Sequence, residues 1–484
     1  MLNAMNFSAI SVEIAIAVLM AVVLVLDLVL KKDAPRCPVV WLTAAGLLGV
    51  LALAVGMYPP DGGATAFYAG LCIVDGYSVF FKILFIIGIL STVIFAADYV
   101  EQTLRHKGEF YLLLLSALLG MCVLASANDL MTAFVGLELM TISFYALVAL
   151  RTDAPLSAEA GIKYLVFGSG STAVLLYGMS LVYGMTGTMV FQNIAQGLGL
   201  VFSLGLIGVV FILAGFFFKL SIIPFHLWAP DVYEGAPAPV TALLAMCSKA
   251  AGIAILLRVL FVAFPFLAAY WAHLLAVLAG ISMVGGNLMA FRQTNIKRML
   301  AYSSIAQAGY MMTAMVATNA AGIKAVLFYA MVYVFANVGA FVTVSYLEMK
   351  RGGADFESVR GLAKDSLLPA GILMVALLTM AGIPPTAGFV GKIYIFSAAI
   401  DAGYLWLAGV GFVMSMMSVY YYLLVIKEMF RDVEEGEKWT EEHLHLPLPA
   451  SAMGVIAVAF TLIIGVWAEP LSIFTNIAVY TFMR

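Results

Sequence analysis

Long apolar runs dominate this chain of 484 residues and restrict what it can fold into. Hydrophobic residues make up 64% of the sequence and charged residues only 11%. A bilayer-spanning helix needs about 20 apolar residues, and about fourteen such windows can be placed along the chain. The runs are continuous and do not alternate, which excludes a membrane β-barrel. The sequence therefore predicts an all-α polytopic membrane protein with about fourteen transmembrane helices.

The windows leave few residues for a soluble domain. They lie near 8–30, 38–58, 74–98, 110–127, 129–150, 160–186, 198–222, 239–263, 267–291, 296–317, 320–347, 367–399, 402–428 and 449–480. The first run lacks a basic n-region and a small-residue cleavage site, so we expect a retained helix and not a cleaved signal peptide.

Basic loops predict the orientation, because cytoplasmic loops are enriched in lysine and arginine. The basic residues follow the odd-numbered windows: Lys31, Lys32, Arg36, Arg105, Lys107, Arg151, Arg292, Lys297, Arg298, Lys350, Arg351, Arg360, Lys364, Lys427, Arg431 and Lys438. Loops on the other side carry few basic residues. This alternation predicts both termini on the outer side of the membrane.

The segment from Phe216 to Thr241 combines a lysine with an interrupted helix. Lys219 ends an apolar run, and four prolines follow it: Pro224, Pro230, Pro237 and Pro239. Prolines break the helical hydrogen-bond ladder, and non-helical backbone survives in a bilayer only inside protein or beside water. Lys219 therefore indicates an internal polar site, and Lys249 places a second amine in the next helix.

Glu138 lies near the middle of the fifth window, where a carboxylate must be protonated or paired. The sixth window carries Lys163 near its start, followed by small residues that permit close helix packing. We expect an ion pair between Glu138 and Lys163. Its attraction, roughly 4 kcal/mol at an effective dielectric near 20, is comparable to the cost of burying each charge, which would leave the pair poised for proton exchange.

Other polar residues leave more than one interpretation open. His226, just past the first break, is either a proton-exchanging group or a polar side chain satisfied in a loop. Lys82, inside the third window, is either a snorkelling anchor or a buried amine. Ser304 and Gln307 in the tenth window could hold water, although helix packing is the simpler interpretation.

The twelfth window repeats the pattern of the seventh. Pro384 and Pro385 interrupt it in mid-span, and Lys392 follows. Two interrupted helices in corresponding places indicate inverted repeats that meet at a midplane site. We therefore predict four parts: helices 1–3 in residues 1–108, a first five-helix repeat (helices 4–8) in 109–263, a second, inverted repeat (helices 9–13) in 264–430, and a cytoplasmic loop with helix 14 in 431–484.

Several classes of function find no support in the sequence. Walker, dinucleotide-binding and zinc motifs are absent, which argues against ATP-driven transport and cofactor chemistry within this chain. The four cysteines, Cys37, Cys72, Cys122 and Cys247, have no metal-ligand spacing and are expected to be small buried hydrophobes. The sequence predicts no cofactor site and no metal site.

Four stretches resemble the antiporter-like membrane-arm subunits of proton-pumping NADH:quinone oxidoreductase (respiratory complex I). They are GLELMTIS around Glu138, KLSIIPFHLWAPDVYEGAPAPVTALL from Lys219, NIKRMLAYSSIAQAGYM, and GIPPTAGFVGK ending at Lys392. The break motif is shared with sodium/proton antiporter subunits and membrane-bound hydrogenases. A lysine at position 249, where larger sister subunits typically have histidine, is similar to the N-type branch.

The resemblance implies a role for each matching position in proton translocation. Glu138 and Lys219 would form the charged pair of a first half-channel, with Lys163 modulating it. Lys249 would connect the halves, and Lys392 would be the exit lysine. His226 is added as a possible relay.

The resemblance also implies the surroundings of the chain. It would lie in a bacterial inner membrane among other membrane-arm subunits, while NADH, FMN, iron–sulfur clusters and quinone would bind elsewhere in the complex. The alternatives are a subunit of a cation/proton antiporter or hydrogenase complex and, with less support, a stand-alone secondary transporter or a purely structural scaffold.

Overall fold

A computed structural model describes residues 7–31, 34–58, 63–198, 203–432 and 445–483. Its α-helices are α1 (Ser11–Val29), α2 (Cys37–Gly56), α3 (Gly76–Phe95), α4 (Ala97–Thr103), α5 (Lys107–Ser126), α6 (Leu130–Val148), α7 (Pro155–Thr186), α8 (Phe191–Leu198), α9 (Ser203–Leu220), α10 (Trp228–Gly235), α11 (Ala238–Leu243), α12 (Lys249–Arg258), α13 (Ala268–Ala290), α14 (Ile296–Met315), α15 (Ala320–Arg351), α16 (Phe356–Val359), α17 (Leu362–Asp365), α18 (Leu367–Ala381), α19 (Ala387–Asp401), α20 (Leu405–Phe430), α21 (Leu448–Val466) and α22 (Glu469–Met483).

The predicted all-α polytopic architecture is confirmed. Within the described ranges, 11 helices are long and apolar enough to cross a membrane, and α9 and α18 are shorter apolar helices. Each of the fourteen windows contains helix. The three windows outside the 11 are the seventh and the twelfth, whose helices α9 and α18 are short, and the tenth, whose helix α14 is 20 residues long but less apolar. The last window is also divided, because α21 ends before Trp467 and α22 begins at Glu469.

Short elements complete the fold. A small antiparallel hairpin, β1 (Thr65–Phe67) and β2 (Cys72–Val74), precedes α3 and was not predicted. Two π-helical turns, Leu244–Ser248 and Val259–Ala263, flank α12. Short 3₁₀ turns lie at Phe7–Ile10, Tyr68–Gly70 and Pro265–Leu267.

The two interrupted helices have similar backbone paths. After α9 the chain turns through Ser221, which has a positive φ of 57°, and resumes a helix only at α10. After α18 it turns through Gly382, with φ 81°, and resumes at α19. Both breaks therefore expose helix-end carbonyl groups inside the protein, where they need donors.

The core lies around α3, α12 and α15, which carry few exposed side chains. Residues 238–260 and a long stretch of α15 are buried. Glycines allow neighbouring helices to approach: a Cβ at Gly120 on α5 would lie 2.5 Å from the backbone nitrogen of Met140 on α6. Close approach of backbones through small residues is the usual basis of helix packing in membranes.

The cytoplasmic loop predicted in 431–484 falls largely on residues 433–444, which lie outside the described residues. Lys32 and Lys438, used for the orientation, also lie outside them.

Candidate functional site: a row of buried lysines

Lys219 occupies the last turn of α9 and is 3% exposed. Its Nζ donates to the hydroxyl oxygens of Thr141 (2.9 Å) and Tyr164 (3.0 Å). It also lies 5.7 Å from the centroid of the Phe144 ring. The ammonium is thus held by neutral side chains of α6 and α7, and the partly negative faces of aromatic rings add to its stabilisation.

Glu138 lies on α6 one turn before Thr141 and is half-buried. Its Oε1 accepts a hydrogen bond from the Thr172 hydroxyl (2.8 Å). The carboxylate acts on Lys219 electrostatically, with Thr141 as the side chain in direct contact with the amine. The two charges therefore influence each other without a direct ion pair among the described contacts.

The expected ion pair between Glu138 and Lys163 does not match the structure. Lys163 Nζ lies 2.7 Å from Asp231 and 2.6 Å from Glu159 instead. Lys163 is near the start of α7, so its side chain extends to the surface of the protein, where carboxylates are available. Arg298 joins Asp231 (2.7 Å) and Glu234 to the same surface network.

Lys249 begins α12 directly after a π-helical turn and is 1% exposed. Its Nζ donates to the backbone oxygens of Leu220 (3.2 Å) and Ser304 (2.9 Å). Leu220 is the last residue of α9 and the neighbour of Lys219. The break in α9 thus supplies a carbonyl that holds the Lys249 amine at the backbone of the residue after Lys219.

Lys392 lies on α19 and is 4% exposed. Its Nζ donates to the backbone oxygens of Met380 (3.0 Å) and Ala381 (2.8 Å) at the end of α18, and to the Ser415 hydroxyl (2.7 Å). It also lies 4.9 Å from the centroid of the Tyr310 ring. A cation at a helix C-terminus is favourably placed against the helix dipole.

Neutral polar side chains lie between Lys249 and Lys392. Ser303, next to the carbonyl that holds Lys249, bonds the hydroxyl of Tyr422. Gln307 donates to Met380 O (3.0 Å), which also accepts from Lys392. Tyr329 donates to the Gln307 oxygen (2.5 Å). The tenth window therefore does more than pack helices, because its polar groups join the surroundings of both lysines.

His226 lies in the turn after α9 and is half-buried. Its Nδ1 has no hydrogen-bond partner within the described residues. The hydrogen bonds of Lys219 and Lys249 run to other groups. The structure thus places His226 beside the first break but outside the contacts of the lysines.

Sequence reasoning missed several buried ion pairs. Lys82 is 1% exposed and lies 2.7 Å from Glu13, so it does not snorkel. Arg258 bonds both oxygens of Asp75. Glu348, on the last turns of α15, accepts from Arg151, Lys297 and Tyr99. A charge inside an apolar window was the available signal, but its partner lies far away in sequence.

The chemistry that the site offers is set by the side chains in the described part of the chain. No group of three or more His, Cys, Asp or Glu side chains there could hold a metal ion. Cys72, Cys122 and Cys247 are buried free thiols as expected, whereas Cys37 is exposed. What the site offers is a set of amines, hydroxyls and one carboxylate that can exchange protons.

Comparisons with known proteins identify the family of the chain. The family model described as NADH:quinone oxidoreductase/Mrp antiporter, TM matches residues 127–418. The chain is 46% identical over 479 residues to the NADH-quinone oxidoreductase subunit N of Heliobacterium modesticaldum, covering 98% of this chain and 99% of that protein. It is also 46% identical to the subunit N of Desulfitobacterium hafniense, covering 96% of this chain and 97% of that protein.

Solved structures show the same fold. A chain of respiratory complex I from Thermus thermophilus with bound aureothin superposes with a TM-score of 0.81 at 35% identity, covering 95% of this chain and 98% of that chain. A chain of the Mrp complex from Dietzia superposes with a TM-score of 0.88 at 21% identity, covering 99% of this chain and 98% of that chain. The second likeness supports the fold alone.

Proposed function

Because the chain belongs to the NADH:quinone oxidoreductase/Mrp antiporter membrane family, we propose that it is the N-type proton-translocating membrane-arm subunit of an NADH:quinone oxidoreductase. Quinone reduction in other subunits would change the charge near Glu138 and Lys219. Protons would then pass by way of Lys249 to Lys392 and leave the membrane.

One observation carries this proposal: three lysines at most 4% exposed, held mainly by neutral groups beside two helix breaks. Within the described residues none of the three forms an ion pair. An ammonium buried without a counter-ion is costly, so its protonation responds strongly to any charge that approaches. That property suits a proton relay better than a structural scaffold.

The rest of the proposal follows from the family. NADH, FMN, iron–sulfur clusters and quinone would bind to other subunits, and this chain would carry no redox centre. Its partners would be neighbouring antiporter-like and small membrane subunits. The chain would lie in a bacterial inner membrane with both termini on the periplasmic side, as its basic loops predict.

The remaining candidate residues take supporting roles in the proposal. Lys163 would modulate the first half-channel from the surface network around Asp231. His226, beside the first break, would exchange protons with the aqueous side. Neither would lie on the direct line between the buried lysines.

Lys219→Ala in the intact complex tests the function. Inverted membrane vesicles should lose NADH-driven proton pumping, while the amount of assembled complex stays normal. Glu138→Ala should give the same loss. Normal pumping in both variants, with normal assembly, would contradict the proposal.

Three further observations would distinguish the alternative functions. Pumping that requires sodium, or purification of the chain with a hydrogenase and without an NADH dehydrogenase, would indicate an antiporter or hydrogenase complex. Transport of a solute by the purified chain alone in liposomes would indicate a stand-alone transporter.

A further inference from the structure

The contacts between Lys219 and Lys249 leave a gap in the path of the proton. Lys249 reaches the α9 break through the backbone oxygen of Leu220. A carbonyl oxygen accepts hydrogen bonds but has no proton to pass on. Lys219 itself points toward Thr141 and Tyr164, on the side of α6 and α7. A transfer between the two amines therefore needs a group that both donates and accepts.

Tyr233 on α10 has the required chemistry and position. It is 0% exposed, and its hydroxyl has no hydrogen-bond partner among the described residues. A buried hydroxyl without a partner is costly, by about 1–3 kcal/mol, and therefore calls for an explanation. Tyr233 was not among the candidate residues, since a tyrosine in an interrupted aromatic segment gives no distinctive signal.

On one side, the Tyr233 phenol faces the surroundings of Lys219. Its ring packs edge-on against Trp228, at 6.2 Å between centroids, and Trp228 stacks on Tyr164 at 4.5 Å. The phenols of Tyr233 and Tyr164 also interact electrostatically. Tyr164 is the hydroxyl that accepts directly from Lys219.

On the other side, Tyr233 faces the surroundings of Lys249. The side chain of Ser304 interacts with the Tyr233 hydroxyl. The Ser304 hydroxyl itself donates to Ala301 O at 2.7 Å. The two hydroxyls make no direct hydrogen bond, and the Ser304 oxygen keeps a lone pair with which it can accept a proton from Tyr233. Ser304 also supplies the backbone oxygen that holds Lys249.

We propose that Tyr233 is the proton-carrying link between Lys219 and Lys249. Its O–H proton passes toward Ser304 and Lys249 while its oxygen takes a proton from Tyr164 and Lys219. The phenol stays neutral throughout, because one O–H bond forms as the other breaks. A water molecule can bridge either interval without changing this balance.

This assignment rests on the proposed function, and it also explains the surface network. Asp231 and Glu234, on either side of Tyr233, are tied to Arg298 on α14, and Asp231 is tied to Lys163 on α7. These ion pairs fix α10 between α7 and α14. Lys163 thus acts on the relay by positioning the helix that carries Tyr233.

Tyr233→Phe in the intact complex tests the link. The change removes one hydroxyl that makes no direct hydrogen bond among the described residues, so the complex should assemble normally and its thermal inactivation should be no faster than that of the wild type. Proton pumping in inverted vesicles, normalised to assembled complex, should fall to the level of a Lys249→Ala variant.

Tyr77→Phe is the matched control. Tyr77 is also 0% exposed, and it donates to Ala254 O (2.8 Å) on the helix that carries Lys249. Its replacement removes a real hydrogen bond away from the lysines, so it should cost stability and leave pumping per complex unchanged.

Tyr233→His distinguishes a proton carrier from a packing role. Histidine donates and accepts but titrates near neutrality, so this variant should pump more than Tyr233→Phe and show a new pH dependence. Normal pumping in Tyr233→Phe, or equal pumping in the His and Phe variants, would overturn the link if Lys249→Ala has lost pumping. Normal pumping in Lys249→Ala would instead contradict the proposed function itself.

Discussion

The two helix breaks hold their lysines in different ways. At the first break Lys219 donates to two hydroxyl groups on other helices, with Glu138 near. At the second break Lys392 donates to two backbone oxygens at the end of α18 and to Ser415. The first amine is therefore governed by side chains that can move, and the second by backbone that is fixed in place.

The comparison also reassigns the counterpart of Lys392. The lysine that donates to the carbonyl end of the first broken helix is Lys249, which bonds Leu220 O. By hydrogen-bond pattern, Lys249 and Lys392 are equivalent, and Lys219 with its carboxylate is the additional group. Under the proposed function, charge would be sensed at the first break, whereas carbonyl groups at helix ends hold amines at both breaks.

Substitutions that keep the positive charge of a lysine but prevent it from releasing a proton should have the largest effect on pumping. Arginine stays protonated in proteins, so Lys219→Arg and Lys392→Arg keep a cation but cannot release a proton. We expect both variants to lose proton pumping in vesicles. If Lys392→Arg still pumps, the amine at the second break acts only as a fixed charge. The two breaks would then differ in that only Lys219 gains and loses a proton.

Gly382→Ala should break the second site selectively. The residue has φ 81°, and a Cβ there would lie 2.8 Å from Cδ and 3.2 Å from Nζ of Lys392. The left-handed backbone alone costs alanine about 1–2 kcal/mol, and the methyl group would push the lysine off its carbonyls. The variant should lose both thermal stability and pumping.

Two changes serve as controls for Gly382→Ala. Gly371 lies on the same helix, α18, with nothing within 4 Å of its added Cβ, so Gly371→Ala should be neutral. Ser221, the corresponding residue after α9, already has a side chain at φ 57°. Ser221→Ala should therefore leave pumping nearly normal, and strong loss there would contradict the asymmetry.

Removing one hydroxyl at each break gives a smaller effect. Thr141→Val takes away one of the two hydroxyl partners of Lys219, and hydrogen bonds to charged groups contribute about 1.5–3 kcal/mol. Ser415→Ala leaves Lys392 two carbonyl partners. We expect pumping to fall more in Thr141→Val than in Ser415→Ala. The reverse order would show that the fixed backbone does not stabilise the second amine.

The sequence indicated which charged residues lie deep in the membrane, but it said much less about which side chains they contact. Apolar runs and prolines located the helices, both breaks and the lysines beside them. A helix that is apolar on every face has no amphipathic pattern, however, and so gives no sign of which neighbour a charged side chain meets. Lys163 was therefore assigned to the nearest acid in sequence, Glu138, and not to Asp231.

Ion pairs between residues far apart in the sequence were not predicted, for the same reason. Glu13 and Lys82 lie on α1 and α3, and Glu348 draws together Tyr99, Arg151 and Lys297 from three different parts of the chain. Each charge was visible in the sequence, but the rotation and order of the helices decide the pairing. Packing of small residues such as Gly120 sets that order, and no local pattern encodes it.

Asp231→Asn should have the smallest effect and tests the surface network at the first break. Burial acts to raise the pKa of Asp231, but hydrogen bonds from Lys163 and Arg298 outweigh it and hold the pKa below its ordinary value. A carboxylate with a lowered pKa contributes its stability above its unfolded pKa and loses it only as pH falls through the folded pKa. The cost of Asp231→Asn, below about 1 kcal/mol for an ion pair this exposed, should therefore be constant between about pH 5 and pH 8. Thermal inactivation of the complex across this range measures it, with a small fall in pumping because α10 is held less firmly. A cost that changes with pH in this interval would show that Asp231 titrates with the relay and belongs to the first break itself.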